Sequence, residues 1–220
     1  MPWGFSFWGD ERDRLAGLAA QLRELARLRS PPFSTHQIIR RCFPGVVVTG
    51  DPLWRGTLGL TRVHGGQVLI AYRRGLGDAR IREVIGHELG HLCDERLTTG
   101  EERRCSVGGP RNHRPIDFSQ EPDRESRCDY FGDELLAPLT YLRRDVAGRR
   151  LFPARSAGPE RVLWHNLIDH LAGRYRVTKA CILRRLRLLH QPAEERRRRA
   201  PALAPVLVAR AVPEGRRRAG

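Results

Sequence analysis

Residues Ile85 to His91 read Ile-Gly-His-Glu-Leu-Gly-His, and the spacing of His87 and His91 in that run constrains what the rest of the chain must do. Histidines four residues apart lie one turn apart on one face of an α-helix, so both imidazoles can reach a single metal ion. Two histidines do not complete a tetrahedral site. A third ligand has to come from elsewhere in the chain, leaving the fourth position for water.

Each residue type in the run has a chemical reason. Neutral imidazole nitrogens are good zinc ligands, and water on zinc ionises near pH ~7. Glu88 sits between the histidines, where its carboxylate cannot comfortably reach the ion but can hydrogen-bond that water and take its proton. These three residues alone support a zinc hydrolase with Zn2+ as cofactor.

Around this helix the apolar pattern predicts an α+β fold. Leu15, Leu18, Leu22, Leu25 and Leu28 recur every three or four residues, giving an amphipathic helix from Asp10 to Leu28 with Asp10 as its N-cap. Pro31 and Pro32 stop it, and Ser34 or Thr35 can cap a short helix through Ile38 and Ile39. Three short runs follow, Val46 to Thr49, Gly56 to Val63 and Gln67 to Tyr72. They are broken by Asp51-Pro52 and Gly65-Gly66, as expected of a small, mostly antiparallel sheet.

Asp78 can cap the helix that carries the histidines, on which Gly86 and Gly90 allow a neighbour to approach closely. From Thr98 to Glu121 no period is assignable. A helix is predicted after Pro122, running from Glu125 to Leu136, with Cys128, Phe131 and Leu135 as its core stripe and a further turn through Tyr141 and Leu142. Two more helices, Val162 to Leu171 and Thr178 to Leu189, resemble a helix-turn-helix with an arginine-rich second member.

Composition limits the setting. The net charge of +15 includes +5 from the tail between Glu194 and Gly220, whose composition predicts disorder. Five widely spaced cysteines without Cys-x-x-Cys argue against a disulfide framework or a zinc ribbon and for free thiols in a reducing compartment. The N-terminal residues lack the pattern of a signal peptide, and no apolar run approaches the roughly 18 residues of a membrane span. The chain is expected to be cytoplasmic.

Three residues are candidates for the third ligand: Glu125, Glu121 and His113. Glu125 is favoured because Asp129, one turn on, can accept the distal N–H of a ligand histidine. Tyr72, Tyr130 and His113 are candidates for stabilising an oxyanion.

The linked motifs resemble the ImmA/IrrE family of metallopeptidases, a gluzincin-like group. Its members carry a His-Glu-x-x-His helix and then Glu-x-x-Ala-Asn/Asp-x-Phe-Ala-x-x-Leu-Leu-Met-Pro. The chain reads Arg80-Ile-Arg-Glu-Val-Ile-Gly-His87-Glu88-Leu-Gly-His91 and Glu125-Ser-Arg-Cys128-Asp129-Tyr-Phe131-Gly132-Asp-Glu-Leu135-Leu136-Ala137-Pro138. The likeness spans Val46 to Leu142. Cys128 and Gly132 replace alanines, Ala137 replaces methionine, and the loop between the motifs is longer than usual.

The resemblance implies zinc ligation by His87, His91 and Glu125, Glu88 as general base, and Asp129 behind the ligands. It also implies cleavage of a helix-turn-helix transcriptional repressor. On this reading residues 1–145 form the metallopeptidase domain, 146–191 a C-terminal helical extension and 192–220 a disordered basic tail. The rival expectation is a non-proteolytic regulatory, toxin-antitoxin or phage partner that binds DNA or a repressor through its basic C-terminal helices.

Overall fold

The computed structural model describes residues 7–54, 56–64, 67–93, 102–105, 124–147 and 159–190. The fold is α+β. In chain order its elements are α1 (Phe7–Leu25), α2 (Thr35–Cys42), β1 (Val46–Asp51), β2 (Gly59–His64), β3 (Gln67–Arg73), α3 (Asp78–Cys93), β4 (Glu102–Cys105), α4 (Arg124–Leu136), α5 (Leu139–Asp145), α6 (Pro159–Tyr175) and α7 (Lys179–His190).

The strands form one small sheet in the order β1-β3-β2-β4. β3 pairs antiparallel with β2, which pairs antiparallel with β4, while β1 joins the other side of β3 in parallel, Val48 opposite Ile70. The sheet is therefore mixed, with antiparallel pairings in the majority. β4 falls in the stretch for which the sequence showed no period, because Glu-Arg-Arg-Cys carries no strand signature. β2 starts at Gly59 rather than Gly56. Gly56 has φ +93°, a left-handed turn conformation that strands do not use.

Helix starts differ from the sequence reading where the first turn is polar or aromatic. α1 begins at Phe7, so Asp10 lies within its first turn and is not its N-cap. α1 also ends at Leu25, where Arg27 takes φ +55° and Leu28 N–H bonds back to the Arg23 carbonyl, closing the helix before the prolines. In α3 the Gly77 carbonyl accepts the first helical bonds, from Arg80 and Ile81, which makes Asp78 the first helical residue rather than the cap. Ser34 does cap α2, its hydroxyl accepting from Gln37 N–H at 3.2 Å.

α3 is the central helix. It packs on β2 and β3 through one face and on α4 through the other, and every residue from Glu83 to His91 is buried. Ile85 and Leu89 join Leu15, Leu22, Ile38, Ile70, Phe131 and Leu135 in one apolar cluster. A second cluster ties the end of α4 to α5, α6 and α7 through Leu142, Leu171, Tyr175, Ile182 and Leu186.

The crossing of α3 and α4 is unusually close because glycines line it. A Cβ on Gly132 would stand 2.9 Å from the Gly86 carbonyl carbon and the His87 nitrogen, and one on Gly90 would stand 2.9 Å from Cys128 Cα. The expectation of a close neighbour holds at Gly90, whereas a Cβ on Gly86 would stand 3.4 Å from Gly132 Cα, an ordinary contact. Gly132 contributes at least as much, and its role was not legible from the motif alone.

Three guanidiniums, those of Arg23 and Arg185 buried and that of Arg184 partly so, then fix α4 along its axis. Arg23 of α1 donates to the Glu134 carbonyl at 2.7 Å, and Arg185 of α7 donates to the Ala137 carbonyl and the Glu134 carboxylate. Cations at the last carbonyls of a helix also oppose its dipole. Burial lowers the Arg23 pKa to about 10, so it stays charged at neutral pH. Arg184 of α7 makes a two-pronged pair with Asp133 at 2.7 and 2.8 Å.

α6 and α7 are joined by a tight turn at Arg176, φ +52°, and Thr178 caps α7 through its hydroxyl. The helical pair expected from the sequence is present. Two of the arginines of its arginine-rich second member, Arg184 and Arg185, point inward onto α4. The tail 192–220, Pro122, Glu121, His113 and the Thr98–Glu121 stretch apart from β4 lie outside the described residues.

Candidate metal centre

α3 presents His87 and His91 on the face that meets α4, as their spacing requires, with ring centroids 4.9 Å apart. α4 presents Glu125 and Asp129 one turn apart on the opposing face. The four residues placed by the sequence at one site do converge. Glu125 Oε2 lies 3.3 Å from His87 Nε2, and its Oε1 lies 3.5 Å from His91 Nε2. Among the described residues, His87, His91 and Glu125 form the one His/Cys/Asp/Glu cluster able to hold a metal, with a ligand atom from each within 4.8 Å of the others.

The tautomer of His87 is set from behind. Its Nδ1 lies 2.7 Å from Asp129 Oδ1, so Nδ1 carries the proton and donates, and the Nε2 lone pair faces Glu125. Nδ1 of His91 lies 3.3 Å from Cys128 Sγ, which gives that ring a softer, weaker partner. Burial pushes the Cys128 thiol well above its ordinary range, so the sulfur remains a neutral thiol.

These distances fit a divalent ion. Ligand bonds of about 2.0–2.1 Å at tetrahedral angles give donor-to-donor edges of about 3.3–3.4 Å. The two Nε2–carboxylate separations are close to that length but run to different oxygens of Glu125, and all three ligand atoms lie within 4.8 Å of one another. The histidines are almost fully buried, while the Glu125 side chain is 41% exposed.

Glu88 is 1% exposed and turns toward the sheet face beside the cluster. Its Oε2 accepts a 2.6 Å hydrogen bond from the hydroxyl of Thr61, itself 1% exposed, on β2. Gly59, two residues earlier on the same strand face, is the other close neighbour: a Cβ there would stand 2.3 Å from Glu88 Oε1. The sequence reading missed both β2 residues, since nothing in a six-residue strand marks a threonine as the partner of a glutamate 27 positions away.

Each tyrosine weighed for an oxyanion role has ring contacts of its own. Tyr130 is buried with the guanidiniums of Arg12 and Arg185 over its ring, and the Tyr72 ring packs against Gly50.

No protein-family model matches the chain, and no curated protein matches it either.

Proposed function

We propose that this chain is a zinc-dependent metalloendopeptidase. What supports the reading is the convergence of His87, His91 and Glu125, a ligand atom from each within 4.8 Å of the others, with a buried glutamate, Glu88, between the two histidines on the same helix. His87, His91 and Glu125 would hold Zn2+, which would supply a lowered water pKa and a polarised carbonyl.

The remaining work falls to the chain's own residues. Asp129 keeps His87 in the tautomer that offers Nε2. Glu88 takes a proton from the attacking water as its oxygen bonds to the carbonyl carbon, then hands that proton to the amine nitrogen as the C–N bond breaks. The step needs no oxidant or other co-reactant.

The substrate in this proposal is a protein, a helix-turn-helix repressor, as the motif resemblance implies, and the role is regulatory. Arg184 and Arg185 of the helical extension are engaged with α4 and are not offered to a DNA partner. The proposed setting is the cytoplasm, supported by four unbridged thiols, Cys42, Cys93, Cys128 and Cys181, among the described residues. No helix among those residues is long and apolar enough to cross a membrane.

The test is hydrolysis of fluorescein-labelled casein and of a co-encoded repressor by zinc-loaded wild type and Glu88→Gln. Cleavage by wild type that falls by orders of magnitude, to a measurable residue, in a zinc-retaining Glu88→Gln is the expected result. Equal cleavage by the two would refute it.

A further inference from the structure

We infer that Thr61 is a positioning residue for Glu88, so that strand β2 as well as helix α3 builds the catalytic apparatus. The inference rests on the metallopeptidase reading and adds to it a residue that neither motif contains.

Three observations carry it. The Thr61 hydroxyl donates to Glu88 Oε2 at 2.6 Å, a short bond of the charge-assisted kind, between two side chains that are each 1% exposed. Thr61 is held on an inner strand, opposite Ile70 of β3 and Arg103 of β4, so its Cα is fixed by neighbours on both sides. Gly59 lies on the same strand face and packs so near Glu88 that a Cβ would meet Oε1 at 2.3 Å and Val84 Cγ1 at 2.6 Å.

The physical consequence follows from the shape of glutamate. The terminal carboxylate torsion is broad and roughly two-fold, so a glutamate on a helix does not by itself fix which oxygen faces a given point. A donor on a rigid strand removes that freedom. The bond to Oε2 holds the carboxylate in one orientation, and Gly59 leaves the space in which Oε1 sits. Threonine suits the place because its branched Cβ restricts χ1 and aims the hydroxyl. Its loss would leave the metal ligands untouched and loosen only the base.

Zinc-loaded full-length wild type, Thr61→Val, Thr61→Ser, Glu88→Gln and the Thr61→Val/Glu88→Gln double variant would be compared on fluorescein-labelled casein, with zinc content and melting temperature measured on each. Thr61→Val is expected to lower kcat about 10- to 100-fold with KM and zinc content unchanged. Thr61→Ser, which keeps the donor, is expected to recover kcat to within about threefold. Thr61→Val is expected to cause no further loss in the Glu88→Gln background, since the two residues act as one unit.

Wild-type kcat in Thr61→Val, a serine variant no better than the valine, or losses that simply track melting temperature would overturn the role of Thr61. Those results would leave the effect of Glu88→Gln intact. Glu88→Gln as active as wild type would overturn the general base itself, and Thr61 with it, so the two failures are told apart by that arm.

Discussion

Nδ1 of His87 and Oδ1 of Asp129 lie 2.7 Å apart across the α3–α4 interface, both side chains buried. The contact joins residues 42 positions apart and decides which nitrogen of the ring faces Glu125. Asp129→Asn keeps the shape but offers an amide that can present its N–H side to the ring. Zinc affinity should fall about 10- to 100-fold, measured by competition with a chelating dye, with melting temperature nearly unchanged. Cys128→Ala, which removes the weaker partner of His91, should cost less than Asp129→Asn. An Asp129→Asn variant with wild-type affinity would contradict this arrangement.

The close helix crossing separates two glycines that look alike in sequence. Gly132→Ala places a Cβ 2.9 Å from backbone atoms of Gly86 and His87, which cannot move as a flexible side chain can. It should destabilise the fold by about 1–3 kcal/mol by urea unfolding and weaken zinc binding, because α4 must shift away from the histidines. Gly86→Ala meets its nearest atoms at 3.4 Å, an ordinary contact, and gains helix propensity. It should be neutral or stabilising by up to about 1 kcal/mol. Equal effects of the two substitutions would show that the crossing distance is not what the glycines set.

Arg184 and Lys179 both belong to α7 and both have acidic partners, but only one pair is buried. Arg184→Ala leaves Asp133 buried without its two-pronged partner and should cost about 3–5 kcal/mol. Lys179 pairs with Asp169 where both side chains are at least half exposed, so Lys179→Ala should cost less than about 1 kcal/mol. Urea midpoints of the two variants check the contrast. A small loss in Arg184→Ala would mean that α7 does not hold α4.

Much of the site was legible because its two halves are local patterns. His87, Glu88 and His91 are spaced by the helix period, and Glu125 and Asp129 repeat that spacing on α4, so a one-dimensional reading recovers both faces. The features it missed are pairings between distant segments. Thr61 is one polar residue in a short strand, and its meaning comes only from the register that sets β2 beneath α3. The pairing of Arg184 with Asp133 and of Arg185 with Glu134 is another, set by where α7 lands on α4. β4 has no apolar alternation, since pairing to β2 rather than composition makes it a strand. Parallel pairing of β1 with β3 is likewise a topological fact that turn signals do not encode.

Glu83 gives the fold a pH dependence of defined sign. Its Oε1 accepts the Thr178 N–H at 2.6 Å, linking α3 to the start of α7, and Arg80 donates to its other oxygen. Burial raises its pKa above the ordinary 4.5, outweighing the lowering by the Thr178 hydrogen bond. The native state therefore binds this proton more tightly than the unfolded chain. Its contribution to stability is present below 4.5 and is lost as pH rises through the raised native value. Glu83→Gln keeps an oxygen for Thr178 and does not titrate. The difference in urea midpoint, variant minus wild type, should grow as pH rises through that window, and a constant difference would contradict the assignment.

The most direct test of the metal centre is zinc K-edge X-ray absorption on the zinc-loaded full chain. The expected spectrum has nitrogen and oxygen scatterers at about 2.0–2.1 Å, outer-ring scattering from two imidazoles, and no sulfur. A zinc–sulfur distance of about 2.3 Å, or an imidazole count other than two, would show that His87, His91 and Glu125 are not the ligand set.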